Sequence, residues 1–75
     1  MGVNDMKRFK VGDYFRCKLD DNIDIIGRIT KIDTMTYSYD LLFGLDNSAR
    51  GFGKGSRFYK ESKWISEKEV LARMI

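Results

Sequence analysis

From Tyr37 to Leu45 the chain alternates: Tyr37, Tyr39, Leu41, Phe43 and Leu45 are separated by Ser38, Asp40, Leu42 and Gly44. Side chains of a strand point to opposite faces in turn, so this period of two predicts a long strand with one strongly apolar face. Two shorter segments fit the same geometry. In Tyr14–Leu19, Phe15, Cys17 and Leu19 alternate with Tyr14, Arg16 and Lys18. Ile25–Ile32 is rich in β-branched residues, which pack well on a pleated surface, and its Gly27 signals a bulge or a close backbone approach. Asp20-Asp21-Asn22 and Asp33-Thr34-Met35 mark the breaks between these strands. Residues 47–57, NSARGFGKGSR, hold three glycines and no apolar period, so they read as a basic loop. Arg57–Ile65 reads as a fourth strand. Ser66-Glu67-Lys68-Glu69 matches the capping box, predicting a single helical turn at Glu67–Val70 before a short last strand at Leu71–Met74.

The predicted fold is therefore all-β, with five antiparallel strands and a single helical turn before the last. A chain of 75 residues buries only about 60% of the surface its unfolded form exposes. Closure into a small barrel suits it, because a barrel leaves few sheet edges exposed. Residues 1–8 are expected to form a flexible N-terminal arm and residues 9–75 the barrel.

Local motifs agree. Phe9-Lys10-Val11-Gly12-Asp13 followed by Phe15, then Gly27-Arg28-Ile29, Tyr39-Asp40-Leu41, and Trp64-Ile65-Ser66-Glu67 with Val70-Leu71, together resemble an SH3-like barrel. The pattern is similar to the branch that includes Tudor and KOW-type domains and many small phage-encoded proteins, and it spans about residues 9–72. The resemblance implies a fold and not a function. Its departure is the long basic connection at 46–57, and binding residues concentrate on loops held by a rigid scaffold.

The composition removes whole classes of chemistry. The chain has no histidine, so a Ser-His-Asp or Cys-His constellation has no base. Cys17 is its single cysteine, which excludes an internal disulfide and offers zinc one ligand where a structural site needs four. Cys17 shares a face with Phe15 and Leu19 and is expected in the core. No enzyme, cofactor or metal site is expected. Around the acidic turn, EF-hand spacing counted from Asp20 places Lys31 where a glutamate is required. No run approaches the ~18 apolar residues of a membrane helix, and Met1–Lys10 lacks the apolar core of a signal peptide. The chain reads as a cytoplasmic protein with no membrane partner and no small-molecule substrate.

Charge is more informative in its distribution than in its total of +3. Residues 1–19 carry Lys7, Arg8, Lys10, Arg16 and Lys18 against Asp5 and Asp13, a net +3. Residues 20–46 carry Arg28 and Lys31 against Asp20, Asp21, Asp24, Asp33, Asp40 and Asp46, a net −4. Residues 47–63 carry Arg50, Lys54, Arg57, Lys60 and Lys63 against Glu61, a net +4, and the tail balances. The glycines of Gly51-Phe52-Gly53-Lys54-Gly55 do not form a phosphate-binding P-loop, since Gly55 follows Lys54 where Ser or Thr is required and Ser48 holds the place of the earlier glycine.

The same segment does fit a nucleic-acid contact. Arg50, Lys54, Arg57, Lys60 and Lys63 supply phosphate ligands, with Phe52 and Tyr59 interleaved to stack on bases. Phe52 is expected to be exposed and Phe58 buried. The alternative is a protein-interaction module of phage or mobile-element type, an inhibitor or adaptor that docks on a larger host or phage protein. Its surface would comprise Asp20, Asp21, Asp24, Tyr14 and Trp64. An aromatic groove built from Tyr14, Tyr37, Tyr39, Tyr59 and Trp64 is a further reading, set against one in which Tyr37, Tyr39 and Trp64 simply fill the core. Outward placement of Met35 and Leu42 on an edge would favour a homo-oligomer.

Overall fold

The computed structural model describes residues 8–20, 23–44 and 50–74. Its order is β1 (Tyr14–Asp20), β2 (Ile23–Ile32), β3 (Thr36–Phe43), β4 (Gly51–Gly53), α1 (Arg57–Glu61), β5 (Ser62–Ile65) and α2 (Glu67–Ala72). The strands form one antiparallel sheet in the order β4-β3-β2-β1-β5. The protein is thus all-β with two short helices. Among the described residues no helix is long and apolar enough to cross a membrane.

The alternation of β1 places Phe15 and Cys17 fully inside, and β3 adds Tyr37 and Tyr39 to the same face. The period does not run on as the sequence suggests. Ile26 pairs with Phe43 and Gly27 with Leu41, so Leu42 is an extra residue in β3. That bulge reverses the face. Phe43 leaves the side of Tyr37 and Tyr39 and packs with Ile26, Ile65 and Val70 on the opposite surface, under α2. A second slip, between Ile29 and Lys31, lies in β2. Bulges bend and twist the strands that carry them, and here the sheet curls. Rings of Phe15 on β1 and Phe52 on β4 lie 5.5 Å apart, although β2 and β3 separate those strands in the sheet.

Two glycines make the curl sterically feasible. Gly27 lies in register between Phe15 and Leu41, and a Cβ there would meet Phe15 Cε1 and Tyr39 Cδ2 at 2.8 Å. Gly12 has φ +96, a conformation L side chains rarely adopt. It lets the Lys10–Asp13 turn fold back so that the Gly12 amide donates to Ile29 O and Asp13 O accepts from the Ile29 amide.

The last two predicted strands are placed differently. Gly51–Gly53, assigned to the loop at 47–57, is β4, and the start of Arg57–Ile65 is helix α1. The reason lies in Phe58 and Tyr59. Adjacent strand residues face opposite ways, whereas adjacent helical residues share a side, and both rings pack on the one core. Ser56 starts the helix by accepting the Tyr59 amide at 3.2 Å. Helix α1 then lies against both β1 and β4. Ser62, at its end, is fully buried and donates from Oγ to Phe58 O at 2.7 Å.

At the C-terminus Ser66 caps α2 by accepting the Glu69 amide, as the capping box requires of it. The helix continues to Ala72, and no strand forms at 71–74, because Ser62–Ile65 already holds the place beside β1. Val70 anchors α2 against Ile26 and Ile65.

Candidate functional site

The basic segment is organised by β4 and α1. Phe52 pairs with Tyr37 across β3 and β4, which puts its side chain on the core face. It is 7% exposed, with ring neighbours Phe15, Tyr37 and Phe58 at 5.0–5.5 Å. The exposed stacking residue that the sequence suggests at Phe52 is therefore a core residue. Phe58 is half-buried and stacks on Tyr39, and Tyr59 stacks on Tyr37 at 5.7 Å and 7°. The rings interleaved with the cations have their faces against one another.

Turning these rings inward turns the cations outward. Arg57 and Lys60, three apart on α1, are both exposed. Arg57 donates from Nη2 to Leu19 O at 3.2 Å. Lys54 Nζ sits 5.2 Å from the Tyr37 centroid, and the Arg8 guanidinium 5.0 Å from that of Tyr59. Arg8, assigned to the N-terminal arm, also donates to the Tyr59 carbonyl at 2.5 Å. The rest of the arm, residues 1–7, lies outside the described residues. Each ring of the Tyr37–Tyr59 stack thus carries a cation. Burial, with Tyr59 beside it, pushes the Tyr37 hydroxyl above its ordinary range, so the ring meeting Lys54 is a neutral phenol. Arg8, Lys54, Arg57 and Lys60 form a basic rim around α1. Arg50, exposed just before β4, accepts the Tyr39 amide on its carbonyl at 2.9 Å.

Lys63 belongs elsewhere. On β5 it pairs with Arg16 of β1, on the face opposite the aromatic core. Asp20 accepts the Ile23 amide at the β1–β2 turn, and Asp21 lies outside the described residues. Asp24 takes a two-pronged bond from Arg16, at 2.9 and 2.7 Å, joining the acidic segment to the basic one before it.

That hydrogen-bonded guanidinium holds the Asp24 carboxyl below the usual carboxylate range. Such a pair adds stability above the unfolded carboxyl value and loses it as pH falls through the lowered folded one. With side chains 35% and 40% exposed, its size is about 0.2–1 kcal/mol. We expect Asp24→Asn to melt slightly below the parent at neutral pH, with the gap narrowing as pH falls below the ordinary carboxylate range in paired thermal melts. A gap of unchanged size at the acid end would remove Asp24 as its source.

The proposed aromatic groove does not assemble. Tyr37 and Tyr39 are core residues, as the simpler reading holds, and Tyr59 stacks beneath Arg8. Tyr14 packs instead with Ile26, Ile65 and Val70, with Arg28 5.8 Å from its ring centroid. Trp64 differs from both readings of it as a core or groove residue. It pairs with the fully buried Phe15, yet β5 is the last strand of the sheet, and Trp64 is 58% exposed. Two clefts flank it. One, of ≈ 280 Å³, includes Asp13, Tyr14, Arg28 and Glu67. The other, of ≈ 560 Å³, includes Arg16, Lys18, Lys63, Glu61 and Glu69. The four residues of β5 are too few for alternation to reveal this exposure in the sequence. No protein-family model, no curated protein and no solved structure matches this chain.

Proposed function

We propose that the chain is a small non-enzymatic module, an SH3-like barrel in architecture, that contacts the phosphate backbone of nucleic acid through the basic rim around α1. The curled sheet, with α1 set between β1 and β4, supports the architecture. One observation supports the function: α1 packs Phe58 and Tyr59 inward and thereby presents Arg57 and Lys60 outward, beside Lys54 and Arg8. Residues 50–63 contain a single carboxylate, Glu61, so little opposes an approaching polyanion. With the neighbouring rings engaged in the core, contact at this rim is with phosphates and carries little sequence information.

Each neutralised phosphate releases counterions, so affinity falls with salt at a slope near −0.9 per contact on duplex and about −0.7 on a single strand. We expect salt-dependent binding with a log–log slope of roughly −3, for four contacts on either form of nucleic acid. Replacing Arg57 and Lys60 together by alanine should reduce the magnitude of that slope by about 1.5. Both side chains are exposed, so the double variant should keep the parent's melting temperature within a few degrees. Fluorescence anisotropy of labelled oligonucleotides between low and physiological salt measures it. Binding that is absent, or indifferent to salt, overturns the proposal.

A further inference from the structure

We infer that Trp64 is a base-stacking platform, and that the nucleic acid taken by this site is single-stranded. The inference rests on the phosphate-contact reading above and names what that site accepts. A protein that holds single strands combines cations along the backbone with aromatic faces on which bases stack. The rim around α1 supplies the first and not the second, because Phe52 lies in the core cluster and Phe58 and Tyr59 are half-buried against it, stacked on Tyr39 and Tyr37. Trp64 supplies the second. The residue is 58% exposed at the edge of the sheet, on the strand that directly follows α1.

The charges around the indole define what fits there. Lys18 and Lys63 line the larger cleft beside it, and neither joins an ion pair among the described residues. Arg16, in the same cleft, is bonded to Asp24. Glu61 and Glu69 also line it. Those carboxylates disfavour a phosphate beside them and accept hydrogen bonds from the N–H donors of a base, thymine N3–H among them. The base therefore lies against the indole, while its phosphates face Lys18 and Lys63. A base within a duplex is stacked on its neighbours and paired, and has no face to offer an edge-strand tryptophan. A single strand does.

Trp64 is the chain's single tryptophan, so its emission reports on this site alone. The test titrates oligothymidine and a duplex of equal length into the intact chain, following tryptophan fluorescence and anisotropy together, with Trp64→Ala and Trp64→Phe alongside. We expect oligothymidine to quench the emission and duplex to leave it nearly unchanged. Trp64→Ala should weaken single-strand binding by roughly 5- to 150-fold. Trp64→Phe should restore most of the loss, and neither variant should change duplex binding more than about twofold. Circular dichroism melts establish that both variants are folded. Salt-sensitive binding with unquenched emission, and with Trp64→Ala equal to the parent, overturns the stacking platform and leaves the rim's phosphate contact standing. Absence of salt-sensitive binding overturns both.

Discussion

Phe52→Ala is expected to lower the melting temperature by roughly 15–30 °C, the loss of about 3–5 kcal/mol that truncating a buried phenylalanine brings in a domain of this size. The ring lies within 6.4 Å of five others, those of Phe15, Tyr37, Tyr39, Phe58 and Tyr59. It is also the only side chain holding β4 to the core, since Gly51 and Gly53 flank it and the strand is three residues long. Alanine would leave a cavity lined by stiff rings that collapse poorly onto it. Total stability for 75 residues is on the order of 4–11 kcal/mol, so the variant should be close to its unfolding midpoint at ambient temperature. Thermal denaturation followed by circular dichroism measures it. A melting temperature within a few degrees of the parent, with nucleic-acid binding lost, is what an exposed stacking residue would give, and would refute burial of Phe52.

Gly27→Ala should cost about 1–3 kcal/mol, the usual range for overpacking a tight core, and lower the melting temperature by roughly 5–20 °C. The contacts a methyl group would make there are ring carbons of Phe15 and Tyr39, both buried, at 2.8–2.9 Å. Neither is the flexible end of a long side chain. Relief requires moving a ring within a closely packed cluster of rings and aliphatic side chains, or separating β2 from the strands on either side. Gly55→Ala is the matched control. A Cβ at Gly55 meets nothing within 4 Å, so the change should alter stability by no more than about 0.5 kcal/mol. Equal melting temperatures for the two variants would mean that the close approach of Phe15 and Tyr39 to Gly27 is not a constraint on the fold.

These residues also mark how far the sequence could be read. Phe15 and Cys17 were legible as core because both sit in a run whose period is unbroken. Gly27 was legible as a bulge or a close approach, and the structure makes it the close approach, with the bulge falling across from it at Leu42. The Ser66 cap was legible because a cap is a local bond between residues three apart. Phe43 was not, because the extra residue at Leu42 exists only in relation to β2. Helix α1 was not legible either. Five residues have little helical preference of their own, and what holds them is the packing of Phe58 and Tyr59 on a core built by distant strands.

The candidate site divides along the same line. The accumulation of positive charge at residues 50–63, and the absence of any histidine, are properties of the chain whatever its conformation. Which aromatic rings accompany that charge depends on the fold. Alternation states which residues share a face, but not whether that face meets a core or ends at an edge. Pairing with β3 drew Phe52 inside, and the last place in the sheet left Trp64 outside. The sequence by itself determined a small antiparallel sheet with a concentrated basic segment. Tertiary structure alone decided which rings were used to build the core and which remained on the surface, because burial depends on what packs from elsewhere in the chain.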